Sequence, residues 1–212
     1  MTDILIVAKK EFTLFFRRKD YVRWYITLIC VTLLAPFAGG INESSERMMY
    51  FILFLVYMTP NNLSIDTIGG EKTRKTLETF LCTHMEVYKV LLGKFLFVQA
   101  LGTFALAVSL SLNSVLLQAL GRVRADSLPY VFLLGFLGVA AIALVSSALA
   151  YMLNNLKTCG YIITLLNLGL IRLVALSLRD YAFLQSFAIC LFVLDICFAL
   201  LIFKRAKKYR LL

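Results

Sequence analysis

The sequence predicts an all-α integral membrane protein with six transmembrane helices, and three observations predict it. Of its 212 residues, 61% are hydrophobic and 16% charged, with a mean hydropathy of +0.85, far from the usage of soluble domains. Six apolar runs, at 22–39, 48–68, 95–117, 128–153, 161–178 and 183–203, each approach the roughly 20 residues that cross a hydrocarbon core. Lysine and arginine are unevenly placed. Seventeen of the 22 lie on one side of these runs and four in the opposite loops, which by the positive-inside rule puts both termini in the cytoplasm. Residues 1–212 then read as a single transmembrane domain, with no linker, low-complexity tract or internal repeat to divide it.

The first element, 3–19, is too short and too charged to span. Leu5, Ala8, Phe12, Phe15 and Phe16 form an apolar arc opposite Lys10, Thr13 and Arg17. Ile6, Val7 and Leu14 blur that arc. The pattern predicts an amphipathic helix lying flat at the cytoplasmic interface. With seven charged side chains before Asp20 and no apolar core, this stretch is not expected to be a cleavable signal. The net charge of +10 sits at the edges of spans, so it gives no reason to invoke nucleic acid. Of five cysteines, Cys30, Cys190 and Cys197 fall inside apolar runs, and Cys82 and Cys159 fall on the expected cytoplasmic side. That placement predicts no disulfide framework, and no metal-ligand spacing is present.

Between the second and third spans lies the most charged stretch bounded by apolar runs, 69–87. Gly69 and Gly70 open it and suit a sharp exit from the preceding helix. Glu71 to Cys82 then reads as a helix of about 18 Å, with Thr73, Leu77, Phe80 and Leu81 on one side. Glu71, Lys72, Lys75, Glu78 and Thr79 fall on the other, and Glu71 and Lys75 stand in the favourable i, i+4 order. A helix resting on the bilayer surface is the plainer reading of this segment.

Polar groups at membrane depth are candidates for function. Pro60, Asn61 and Asn62 are expected to interrupt the second span. Gln99, Thr103, Asn113 and Ser114 share an arc of the third, broken by Leu106 and Leu110. Arg172 in the fifth span and Asp195 in the sixth lie about 18 and 13 Å from their inner ends, within reach of each other. A structural ion pair is the stronger reading of those two, and a translocation or gating site the sharper one. No phosphate-cradling glycine loop occurs, and the one histidine, His84, allows neither a catalytic triad nor a zinc-protease pair. An enzyme is therefore not expected.

Glu71-Lys72, Thr76-Leu77-Glu78, Leu81, Thr83 and Gly93-Lys94 together resemble the type-2 family of ATP-binding-cassette exporter permeases. The leader Ala8-Lys9-Lys10-Glu11-Phe12 and the basic ending Lys204, Arg205, Lys207 and Lys208 are similar too. By layout the resemblance covers the whole chain, and by motif about 25 residues. Lys75 stands where the family has glycine, and His84-Met85 where it has proline. The resemblance implies a transmembrane subunit of an ATP-driven exporter in a bacterial inner membrane. It implies a coupling helix carrying Glu71, Lys72, Thr76, Leu77, Glu78 and Leu81, hinged at Gly69 and Gly70 and docked on a separate ATPase subunit that binds ATP-Mg. This chain would bind no cofactor itself. A second permease subunit, identical or homologous, would complete the path for an amphipathic or hydrophobic cargo such as a peptide, lipid-like molecule or drug. Asn61, Asn62, Gln99, Asn113, Arg172 and Asp195 are the candidates to line that path. The competing expectation is a stand-alone carrier, immunity or scaffold protein without an ATPase.

Overall fold

The computed structural model describes residues 2–33, 45–70, 87–119, 128–152, 155–177 and 189–197. Among them every element is a helix and no strand occurs. Helix α1 (Thr2–Arg17) is separated from α2 (Lys19–Leu33) by the single residue Arg18, and α3 (Ser45–Ser64) runs on into a π-helical turn, Ile65–Gly69. Then come α4 (Val87–Ala119), α5 (Leu128–Met152), α6 (Leu156–Ser177) and a last helical stretch, α7, at 189–197.

Helix α4 is the axis of the bundle, packing against α1, α2, α3 and α5. Its 33 residues give it a length of about 50 Å, because it begins at Val87 rather than at the expected residue 95. Two helical stretches, Tyr88–Val115 and Val131–Met152, are long and apolar enough to cross a membrane. Within the described residues the helices over the other four expected spans do not meet both conditions. Large apolar side chains face outward along α4, α5 and α6, among them Phe104, Val115, Leu133, Tyr161 and Leu165.

Two apolar clusters fill the interior. Ile52, Leu53, Val56 and Tyr57 of α3 meet Leu106, Leu134, Val139 and Ile163 from α4, α5 and α6. Phe15 of α1, Tyr25 of α2 and Phe97 of α4 centre the second cluster, where Phe15 meets Tyr25 and Phe97 at ring separations of 5.7 and 6.0 Å, and Phe12 meets Phe97 edge-on at 4.9 Å.

Three expectations need correction. Helix α3 continues as an α-helix through Pro60, and the departure from α geometry comes five residues later, at 65–69. Helix α6 starts inside the expected loop 154–160, because the Asn155 carboxamide oxygen caps it, accepting from the Lys157 and Thr158 amides at 3.1 and 3.4 Å, the work of a good N-cap residue. The single apolar arc expected of α1 divides between two surroundings. Val7, Ala8, Glu11 and Phe15 are its buried face, whereas Leu5 and Phe16 are 61% and 64% exposed. Hydropathy alone favours the flank of phenylalanines over a face that carries a glutamate.

Helix α5 reaches α3 closely at Gly138, where a β-carbon would collide with the Tyr57 hydroxyl, whereas one at Gly169 of α6 would meet nothing within 4 Å. Gly138→Ala must displace a buried ring and should destabilise the chain by about 1–3 kcal/mol, while Gly169→Ala should leave stability unchanged or slightly raised. Thermal unfolding of the two variants in detergent checks this; equal midpoints would contradict the described α3–α5 packing.

Candidate functional site

The densest collection of charged and polar groups lies where α1, the π turn and the start of α4 converge. At Gly93 a β-carbon would stand 2.7 Å from Val7 Cβ and 2.8 Å from the Ile4 carbonyl oxygen. Glycine is thus what lets the α1 backbone lie directly on α4. The next residue, Lys94, is 1% exposed and Glu11 5%. The Lys94 ammonium donates to Glu11 Oε1 at 3.0 Å and to the Thr67 carbonyl at 2.7 Å.

The carbonyl that Lys94 reaches belongs to the π turn. Thr67 folds its hydroxyl back onto the Leu63 carbonyl at 2.7 Å, a local bond that competes with the α ladder. Single π turns of this kind recur at functional sites. Two further ion pairs flank this one. Lys89 of α4 meets Asp3 of α1 at 2.9 Å, and Arg18 meets Asp66 of the π turn at 3.8 Å. Helix α1 therefore grips the chain just before residue 71 and again just after residue 86. Helix α6 closes the same region from another side, with Cys159 buried in the cluster that holds Ile68 and Leu91. Burial pushes the Cys159 thiol above its ordinary value of 9.0.

The residues expected to carry the function are distributed differently. Glu71, Lys72, Thr76, Leu77, Glu78 and Leu81 lie outside the described residues. Gly69 ends the π turn, and Gly70 has right-handed helical angles of −63° and −37°, so neither glycine makes the sharp turn expected of it. The intramembrane candidates face different neighbours within the chain. Asn113 donates to the Thr32 and Ser109 carbonyls at 3.2 and 2.7 Å, facing α2. Gln99 approaches Thr103 Oγ1 at 3.4 Å and the Phe136 carbonyl of α5 at 3.5 Å. The predicted α4 stripe thus divides between two neighbours. Asn61 is buried with its carboxamide oxygen unpartnered among the described residues, and Asn62 is exposed.

The Arg172–Asp195 pair does not form. Arg172 is exposed, and Asp195 keeps one buried carboxylate oxygen with no hydrogen-bond partner among the described residues. Equal depth along the bundle brings two residues together only if their helices also turn them toward each other. The sequence reading missed Glu11, Thr67 and Asp66 as a group. One signal could have found them: a single acid inside the Ile4, Val7, Ala8 and Phe15 face of α1, matched by a lone lysine at the head of an apolar run.

No protein-family model matches the chain, and no curated protein matches it.

A buried pair stripped of one partner leaves an uncompensated charge. Lys94→Met and Glu11→Leu should each lower stability by about 3–5 kcal/mol. The double variant should lose clearly less than the two single losses added, as read by thermal unfolding in detergent; additive losses mean the side chains do not act as a pair. The folded state also holds the Cys159 thiol protonated. Its stabilising effect is therefore intact below pH 9.0 and lost as pH rises beyond that value. With Cys159 as the sole cysteine, maleimide labelling at pH 7 should be about tenfold or more slower than in the denatured chain, and equal rates would show the thiol to be open.

Proposed function

We propose that this chain is the transmembrane subunit of an ATP-driven exporter, held in a bacterial cytoplasmic membrane by six spans. One observation carries the reading: the chain is tied to the bundle on either side of residues 71–86, before them by the Lys94 bond to the Thr67 carbonyl and the weaker Arg18–Asp66 pair, and after them by Lys94–Glu11 and Lys89–Asp3. A segment that must pass force from an outside partner needs rigid attachment where it leaves one span and enters the next. The sequence of 71–86 offers such a partner an apolar side and a charged side.

The membrane setting draws support from the two helices of sufficient length and hydropathy and from the outward apolar side chains of α4, α5 and α6, far more than a soluble surface carries. In that setting Leu5 and Phe16 on the free flank of α1 dip into the interface while its buried face holds the clamp.

In this mechanism two ATPase subunits close on ATP-Mg and each pulls on a docked 71–86 segment. The displacement enters α3 and α4 together, because Lys94 ties the π turn to α4 through the Thr67 carbonyl. Two copies of the permease, or this chain and a homologue, then exchange inward- and outward-open arrangements by rigid-body movement. This chain binds and hydrolyses no nucleotide in that cycle.

Co-purification in mild detergent with the ATPase encoded beside it tests the reading. The wild type should retain the ATPase, and Glu71→Lys with Glu78→Lys should lose it while keeping its thermal midpoint. If no ATPase associates with either protein, the exporter reading fails and a stand-alone carrier takes its place.

A further inference from the structure

A cavity of about 330 Å³ opens between α2 and α3, lined by Asp20, Tyr21, Trp24, Asn62, Leu63 and Asp66. Its composition departs from its surroundings. The chain carries a net charge of +10 and only 12 acidic residues, yet two carboxylates face this one space. Tyrosine and tryptophan at the end of a span ordinarily anchor it at the interface. Here Tyr21 and Trp24 line a recess with Asp20 and Asp66, and Asp20 and Asn62 are exposed, so the recess is open to entry.

The walls already hold a cation. The Arg18 guanidinium stands 5.3 Å from the Tyr21 ring centroid and 3.8 Å from Asp66 Oδ2, and Arg18 Nη1 donates to the Tyr21 hydroxyl at 3.4 Å. It belongs to a smaller neighbouring cavity of about 60 Å³ that shares Tyr21, Leu63 and Asp66 with the larger one. All three separations are long, and Arg18 and Asp66 remain 42% and 37% exposed. An aromatic face beside a carboxylate is the chemistry that selects a cation with an apolar body. A resident held this loosely is readily displaced.

We propose that the α2–α3 cavity binds an organic cation, its charge set against Asp66 and Asp20 and its apolar body against Trp24 and Tyr21, with Arg18 as the internal counter-ion that the ligand displaces. As a loading site for cargo this rests on the exporter reading, and it narrows the cargo to cationic amphiphiles. The binding site itself rests only on the cavity and its walls.

Trp24 is the only tryptophan in the chain, so its fluorescence reports this cavity alone. The purified chain in dodecyl maltoside, which has no ammonium group, would be titrated with tetraphenylphosphonium, with triphenylphosphine oxide and tetraphenylborate as neutral and anionic comparators. Saturable quenching by the cation alone is expected. Asp66→Asn should weaken binding about tenfold, the equivalent of one charge-assisted contact, and Arg18→Gln should tighten it severalfold. A variant that merely misfolds cannot produce the second result. Equal responses to all three probes, or an Arg18→Gln variant that binds no better, would overturn the site. Added phosphatidylethanolamine should not displace the probe. Displacement would make a lipid ammonium the resident ligand and overturn the cargo assignment. Binding without an associated ATPase would leave the site standing and remove the exporter; an associated ATPase without binding would do the reverse.

Discussion

The buried pairing of Lys94 with Glu11 constrains the rest of the structure. Taking an ammonium and a carboxylate out of water costs several kcal/mol for each ion, and their attraction offsets that only when the remaining donors and acceptors are also bonded. Lys94 meets that condition by reaching Glu11 and the Thr67 carbonyl at once. The pair therefore adds little net stability and fixes position instead. Sliding α1 by one residue along α4 would bury two unpaired charges and drive a side chain into the backbone at Gly93. Helix α1 has one register as a result, and the flanking Asp3–Lys89 pair falls into place with it.

Polar groups away from this end follow a different rule. Thr32, Ser109 and Asn113 join α2 to α4, with the two hydroxyls 3.0 Å apart. Ser64 and Ser147 join α3 to α5 at 3.4 Å, and the Tyr25 hydroxyl donates to the Leu101 carbonyl at 2.6 Å. Each links two adjacent helices without charge, as interhelical bonds in apolar surroundings do. Among the described residues the ion pairs between different elements are those of α1 and of Arg18 just beyond it. The bundle thus has a charged, tightly specified end and a body held by weaker neutral seams. Movement of helices past one another is easier to accommodate in the body than at the clamped end.

Helix positions were legible from the apolar runs because burial away from water requires length, and length is counted directly in sequence. Starts and ends were legible only where hydropathy changes. Helix α4 runs back to Val87 and α6 to Leu156 because packing and the Asn155 cap extend them past their apolar stretches. The Asn155 signal was present in the sequence, whereas the support for Tyr88 to Lys94 is tertiary. The clamp was half legible. Gly93-Lys94 stood out by resemblance, but its partner Glu11 lies 83 residues away, and no helical periodicity relates the two. Arg172 and Asp195 erred the other way. Depth is one coordinate only, and the direction each helix turns its side chain is set by packing that the sequence does not display.

The clamp and the cavity meet at Arg18 and Asp66, and magnitudes decide how far one can influence the other. A half-exposed pair at 3.8 Å contributes about 1 kcal/mol at most, whereas any shift of α1 that leaves Lys94 or Glu11 buried without the other costs about 3–5 kcal/mol. A ligand that displaces Arg18 can therefore shift the position of α1 only by the smaller amount, because a ligand moves an equilibrium by no more than its differential affinity for the two states. Occupancy of the α2–α3 cavity loosens one of the three ties of α1 and leaves the buried one in place. Releasing α1 from α4 also gives up the close backbone approach at Gly93 and the Phe12–Phe97 ring contact, which displacing Arg18 does not touch. In the proposed transporter, cargo then selects the loaded state, while the work of rearrangement enters through residues 71–86.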